Sequence, residues 1–405
     1  MKYIVVSVSG AADHPAEELG GKTPLEVAKV PHLSFFTKAG KLGNAKVFPD
    51  RVPLAPDASL FGLLGYGGNL YTGRGALEAA NLELTLDDRE VAFCMNFITE
   101  ASGLLADSTA GSISTKESRA LINFLNKKIS SDFVRFFAGT AHRHIAVIKD
   151  AHGFEALSAK TNPPEDVEGQ KIEDVLPNGA GEELLKKLMF DARLLLQDHE
   201  INQVRVDLGE NPANMIWLWG QGKKPALKPL RELYDLTGGA MVAVREYAKG
   251  LGRVAGLTVM EVKEENEDPS VFYDRISKIA LDALEEKDFV CIHLHQPDEA
   301  SRAGDLKSKI FAIEGIDSFV FSKIRKYFER QHSGKKIFRD AIPVGIVNLI
   351  FRGVGLLDFF RARFPGRDQY RFGRDVPGGG EGAGVYIHLP RALRHCRQGV
   401  LLLYI

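Results

Sequence analysis

Residues 3–9, YIVVSVS, form a short β-branched and apolar run that stops at Gly10. A run of this kind reads as a strand buried on both faces, the usual state of strands in a parallel sheet. Parallel neighbours need long crossover connections, most often helices, so this one run constrains the architecture of the whole domain around it. The chain supplies the remaining parts. Helical spacing runs from Pro24 to Ala39, and the patterns over 240–256 and 273–286 predict further helices. LTVMEV (257–262) and DFVCIHL (288–294) predict strands. Strand and helix in alternation predict an α/β fold, a parallel sheet with helices on both faces that binds ligands at the carboxyl ends of its strands. The middle differs: HRHIAVIK (142–149) alternates like a strand, 182–200 reads as one long amphipathic helix, and AKTNPPEDVEG between them is a loop. The expected organisation is one domain from 1–80 and 215–338, with a smaller α/β domain, 81–214, inserted into it. A length of 405 residues suits two domains.

Composition excludes several classes. Apolar residues make up 44% and charged residues 26%, which fits a globular protein. A net charge of -1 argues against electrostatically driven binding to nucleic acid. No apolar run approaches the roughly 18 residues of a membrane helix. The N-terminus, MKYIVVSVSG, reads as a first strand rather than a signal peptide. Cys94, Cys291 and Cys396 are odd in number and far apart, which suggests neither a disulfide framework nor a zinc site, and a cytoplasmic location is expected. Nothing in the composition speaks to an oligomeric state.

Three stretches sit where a parallel sheet places its ligands: Ser9-Gly10-Ala11-Ala12-Asp13, then Ala55-Pro56-Asp57 running into LFGLLGY, then HQPDEASRAGD (295–305). The last is acidic directly after a strand. It suits either a divalent cation or a solvated loop capping the next helix, and spacing alone favours the loop.

Longer words add a resemblance. LLGYGGNLYTGRGALEA (63–79), NPANMIWLWGQGKKPAL (211–227), AKGLGRVAGLTVMEV (248–262) and HLHQPDEASRAGDLKSKIFAIEGID (293–317) occur in order. Together they resemble the archaeal-type, cofactor-independent phosphoglycerate mutases of the alkaline phosphatase superfamily, from the N-terminus to about Phe338. The resemblance implies an alkaline phosphatase-like sheet with an inserted domain. It also implies interconversion of 2- and 3-phosphoglycerate through a phosphoserine, with two divalent metals, manganese or zinc, activating the serine.

Mapped onto this chain, the family's chemistry is eroded. The first metal-ligating aspartate is Ser9, although Gly10 and Asp13 survive. The nucleophile position is Pro56, which has no hydroxyl. Ser59 lies about a helical turn further on, too far to replace it. In the Asp-Glu-Ala-Gly-His word, Asp298, Glu299 and Ala300 remain, but the histidine is Arg302, a fixed positive charge where a cation belongs. Asp340 is the nearest match to the terminal Asp-His pair and lacks the histidine. The expectation is that the metals are lost or reduced to one weak site at Asp298, with His293 and His295 alongside.

The substrate-holding side is better kept. Arg74, Arg143 and Lys249 match cationic positions of the family, and Asp57 and Asn96 keep matching polar ones. Arg74 and Arg143 lean towards binding a phosphorylated acid such as phosphoglycerate, whereas Lys249 suits a solvated helix equally well. Cys94 replaces an arginine, Glu165 and Ser112 replace histidines, and KEENEDPSVF (263–272) replaces a glycine-threonine loop. Trp217 and Trp219 read as packing residues.

Three functions are compatible with these residues: a mutase relative impaired in catalysis that keeps an anionic ligand, a working mutase with relocated residues, and a non-catalytic binding or scaffold protein. The chemistry favours the first. The tail is separate: residues 1–338 hold 27 lysines and 15 arginines, whereas 339–405 hold no lysine and 10 arginines. That switch suggests a shifted reading frame near Phe338 or a newly acquired basic tail.

Overall fold

The computed structural model describes residues 2–39, 41–44, 47–48, 52–149, 156–262, 267–331, 344–349 and 401–404. Asp340 and most of the arginine-bearing tail from 339 to 405 lie outside the described residues. The chain divides into two compact units, Met1–Tyr71 with Leu227–Ile405, and Thr72–Ala226.

The first unit is built on a parallel sheet. Its strands are β1 (Tyr3–Ser9), β2 (Lys41–Asn44), β8 (Gly239–Ala243), β9 (Thr258–Glu261), β10 (Phe289–Leu294), β11 (Val344–Leu349) and β12 (Leu401–Tyr404). They lie in the order β2-β12-β11-β1-β10-β8-β9, every pair parallel. β1 pairs with β10 from Tyr3↔Phe289 to Val8↔Leu294. The sheet's two faces bury different side chains. Ile4, Val6 and Val8 join a core with Leu33 and Phe36 of helix Pro31–Ala39 and with Phe272, Ile276 and Ala280 of helix Pro269–Glu286. On the other face, helix Glu246–Val254 comes so close that a Cβ on Gly252 would lie 2.7 Å from the Met241 Cβ.

Two expectations are corrected here. The predicted helix over 240–256 is a strand, β8, followed by a shorter helix from Glu246. Gly239–Ala243 is a brief apolar run whose period cannot separate strand from helix, and burial between two parallel neighbours decides it. The acidic stretch after β10 is not a loop: Gln296–Arg302 is a helix with Pro297 in its first turn, and Asp305 caps the next helix by accepting from the Ser308 N–H at 2.9 Å.

The second unit is an antiparallel sheet. β3 (Glu90–Ala101) pairs with β4 (Leu104–Asp107), β6 (Arg143–Lys149) and β7 (Met215–Lys223), and β5 (Val134–Thr140) pairs with β6. Helix Thr115–Ile129 starts at a capping box in which Ser114 and Glu117 satisfy each other's backbone N–H groups. It packs with helix Glu182–Leu196 over Phe93, Met95 and Phe97. The long helix expected over 182–200 ends at Leu196, and His199 caps a new one, Glu200–Asp207. No helix among the described residues is long and apolar enough to cross a membrane.

Candidate functional site

In the first unit the chain leaves β1 at Ser9 and turns at Gly10, whose φ is +74°. A Cβ on Gly10 would lie 2.4 Å from the Asp298 Cα, so this turn rests directly on the start of helix Gln296–Arg302. The Ser9 hydroxyl is buried and has no hydrogen-bond partner. The carboxylates around it carry side-chain cations. Asp298 Oδ2 lies 3.3 Å from Arg302 Nε, and Glu299 pairs with Arg245. Lys309 is 2% exposed and donates to Asp13 Oδ2 at 2.5 Å and to the Ala12 carbonyl at 3.2 Å. Lys249 Nζ stands 3.7 Å from Glu261. Among the described residues no group of three or more His, Cys, Asp and Glu is placed to hold a metal ion.

His293 and His295 play separate parts. His293 is fully enclosed, with Nδ1 3.0 Å from the Ser7 hydroxyl and Nε2 2.9 Å from the Tyr247 hydroxyl. Both ring nitrogens are occupied, so His293 has no lone pair to offer a metal. His295 Nε2 lies 3.5 Å from Glu299.

Pro56 opens helix Pro56–Leu63, where its fixed φ and missing N–H suit the first turn. Its neighbour Asp57 is fully buried: one carboxylate oxygen accepts from the Tyr71 hydroxyl and the other has no partner. The Ser59 hydroxyl donates to the Pro56 carbonyl at 2.7 Å and is buried within its own helix.

In the second unit, Arg74 begins helix Arg74–Asn81. Its Nε donates to Glu78 Oε1 at 2.7 Å, and its guanidinium carbon lies 4.7 Å from the centre of the Trp219 ring. Trp219 Nε1 donates to Asn96 Oδ1 at 3.1 Å, and Asn96 is paired in register with Arg143 across β3 and β6. The structure thus joins Arg74 and Asn96 through Trp219 and sets Arg143 opposite Asn96 on the neighbouring strand. Cys94 is buried on β3 opposite Trp219. Ser112 is exposed in the turn after β4, and one Glu165 carboxylate oxygen is buried without a partner.

Sequence reasoning missed Trp219, Glu78, Tyr71 and Lys309. Glu78 had a signal, since it lies four residues after Arg74 on one helix face. Trp219 had none, because its partners come from a helix and a strand distant in sequence. Trp217 packs as expected, fully buried with its Nε1 on the Asn162 carbonyl at 2.8 Å.

Burial pushes two histidines well below the usual imidazole range, His293 and His144 each to about 3. Desolvation is the main cause in both, with His295 and His142 respectively adding to it. The unfolded chain takes up protons below about pH 6.5 that the folded chain refuses down to about 3, so stability is complete above that window and falls as the pH drops through it. Melting between pH 7.5 and 4.5 is expected to show a loss of about 1 kcal/mol per pH unit for each histidine. His144→Gln should flatten the slope, and an unchanged slope would contradict the assignment of His144.

A family profile described as 2,3-bisphosphoglycerate-independent phosphoglycerate mutase matches residues 37–202. A 2,3-bisphosphoglycerate-independent phosphoglycerate mutase of Methanosarcina barkeri is 37% identical over 328 residues, covering 81% of each chain. That of Methanosarcina acetivorans is 38% identical over 330 residues, covering 81% of this chain and 82% of its own. A solved protein structure from Pyrococcus horikoshii aligns with a TM-score of 0.62 over 80% of this chain and 78% of its own, at 23% identity, which speaks to fold alone.

Proposed function

This chain belongs to the 2,3-bisphosphoglycerate-independent phosphoglycerate mutase family, and from that premise we propose that it binds a phosphorylated acid of the phosphoglycerate kind without passing the phosphoryl group on. The observation that carries this reading is Pro56. It stands first in its helix with no hydroxyl, and the next serine along the chain, Ser59, spends its own hydroxyl on the Pro56 carbonyl.

The family implies two divalent metals, and the residues present do not fit them. Ser9 offers a neutral hydroxyl where an anionic ligand is needed, and Asp298 already faces the guanidinium of Arg302. What remains is recognition on an alkaline phosphatase-like scaffold. Arg74 is held by Glu78 and Trp219 so that a ligand need not order it, Trp219 also holds Asn96, and Arg143 is the cross-strand neighbour of Asn96. The enclosed Ser59 also weighs against a working mutase with relocated residues.

Ligand binding can be read from stability, because a molecule that binds only the folded state raises its melting temperature. Without added metal, 3-phosphoglycerate is expected to stabilise the wild type saturably. Arg74→Ala should weaken binding about 10- to 100-fold, the usual worth of a charge-assisted hydrogen-bonding pair. Equal stabilisation of wild type and variant would remove Arg74 from the site.

A further inference from the structure

Arg74 and Asn96 are tied together by one side chain, Trp219, which the proposed function reads only as a support for Arg74. We propose that Trp219 is a positioning residue that turns the Arg74 guanidinium and the Asn96 amide into a paired donor site for an oxyanion, a carboxylate or a phosphate. The proposal rests on the reading of these two residues as ligand-holding and adds what orients them.

An indole N–H can only donate, so its bond to Asn96 Oδ1 at 3.1 Å decides which way the amide points. The oxygen is used inward and the NH2 group is what the amide can present. That Nδ2 is sheltered from solvent and has no partner. The guanidinium, lying 4.7 Å from the ring centre, is a donor-only group as well. Glu78, itself buried, holds the Nε side of Arg74 at 2.7 Å, so ring and carboxylate both restrain the guanidinium. The guanidinium and the amide NH2, both donors and both held on the same indole, match a ligand group that only accepts, as an ionised carboxylate or phosphate does. Trp217, two residues away, makes the contrast. It is fully buried and stands opposite Asn96 in the strand register, yet its N–H goes to the Asn162 carbonyl and not to the amide.

The test titrates full-length wild type, Trp219→Phe, Trp219→Leu and Trp217→Phe with 3-phosphoglycerate, with inorganic phosphate and glycerate as separate arms that identify which oxyanion is held. Phenylalanine keeps a ring under Arg74 and removes the N–H that orients Asn96. Leucine removes both. The Kd for 3-phosphoglycerate is expected to rise about 3- to 10-fold in Trp219→Phe and about 10- to 100-fold in Trp219→Leu. In Trp217→Phe the melting temperature should fall while the Kd stays within about 2-fold, the pattern of a residue that only packs. The chain has 2 tryptophans, so Trp217→Phe also leaves Trp219 as the single emitter. Its emission should change saturably with the same Kd, because the ligand engages the cation lying over the ring. Wild-type affinity in Trp219→Phe, or emission that does not respond to bound ligand, would overturn the proposal. If the wild type binds none of the three probes, the proposed function fails and this proposal with it. If Arg74→Ala abolishes binding while both Trp219 variants keep it, only the positioning role fails.

Discussion

Conversion of 3-phosphoglycerate to 2-phosphoglycerate by this protein is expected to run about a million-fold below that of a relative with a serine nucleophile, even with manganese or zinc supplied. That factor is roughly 8 kcal/mol of barrier. A family mutase needs an oxygen to take the phosphoryl group and a cation to ionise that oxygen. Pro56 provides no oxygen, and Arg302 places its guanidinium beside Asp298, the carboxylate proposed as a ligand position. Residues that act as a unit do not contribute additively, so returning one of them restores little. Pro56→Ser alone is therefore expected to stay within about tenfold of the wild type. A variant that recovered most of the family rate would show that Ser9 and Arg302 do not obstruct the chemistry. A coupled assay following 2-phosphoglycerate through its dehydration, with a relative as reference, reads both results.

The second large effect is structural and falls at Gly73. Its φ of +118° and ψ of 156° lie where residues with a Cβ are rarely found, and a Cβ there would sit 1.9 Å from the Gln221 carbonyl oxygen. Neither neighbour can yield cheaply, since the obstacle is the backbone of β7 and the glycine directly precedes Arg74. Backbone strain and overpacking together should cost about 3–5 kcal/mol. Gly73→Ala is thus expected to lower the melting temperature by about 10 °C and to weaken 3-phosphoglycerate binding by displacing Arg74. A melting temperature within about 2 °C of wild type would mean that the segment around Gly73 moves freely, contrary to the tight packing of Thr72–Gly75 on β7 and β3.

Much of the parallel sheet could be read in the chain, because β1, β9 and β10 are apolar runs closed by turns or charge. The strand β8 was hidden: Gly-Ala-Met-Val-Ala has no polar partner residues to display a period of two, and the glycine-rich helix after it blurs the boundary. The helix of Gln296–Arg302 was hidden for a different reason. Proline and paired acids look like a loop, yet they are what the first turn of a helix accepts best. Of the candidate residues that the words of the family picked out, Arg74 and Asn96 meet at Trp219, and Arg143 pairs with Asn96 across β3 and β6. The contacts that orient them were not legible. Trp219 meets Arg74 and Asn96 only because a helix, β3 and β7 converge, and nothing in the spacing of 74, 96 and 219 announces it. Likewise Lys309 reads as one more charge on an amphipathic helix, while the fold encloses it against Asp13.

The most direct measurement is phosphorus NMR of the protein mixed with 3-phosphoglycerate, in metal-free buffer and in buffer supplied with zinc, over several hours. Binding without transfer predicts a 3-phosphoglycerate resonance that shifts or broadens with protein concentration while no 2-phosphoglycerate resonance grows in either buffer. A 2-phosphoglycerate signal rising towards its equilibrium share would contradict it.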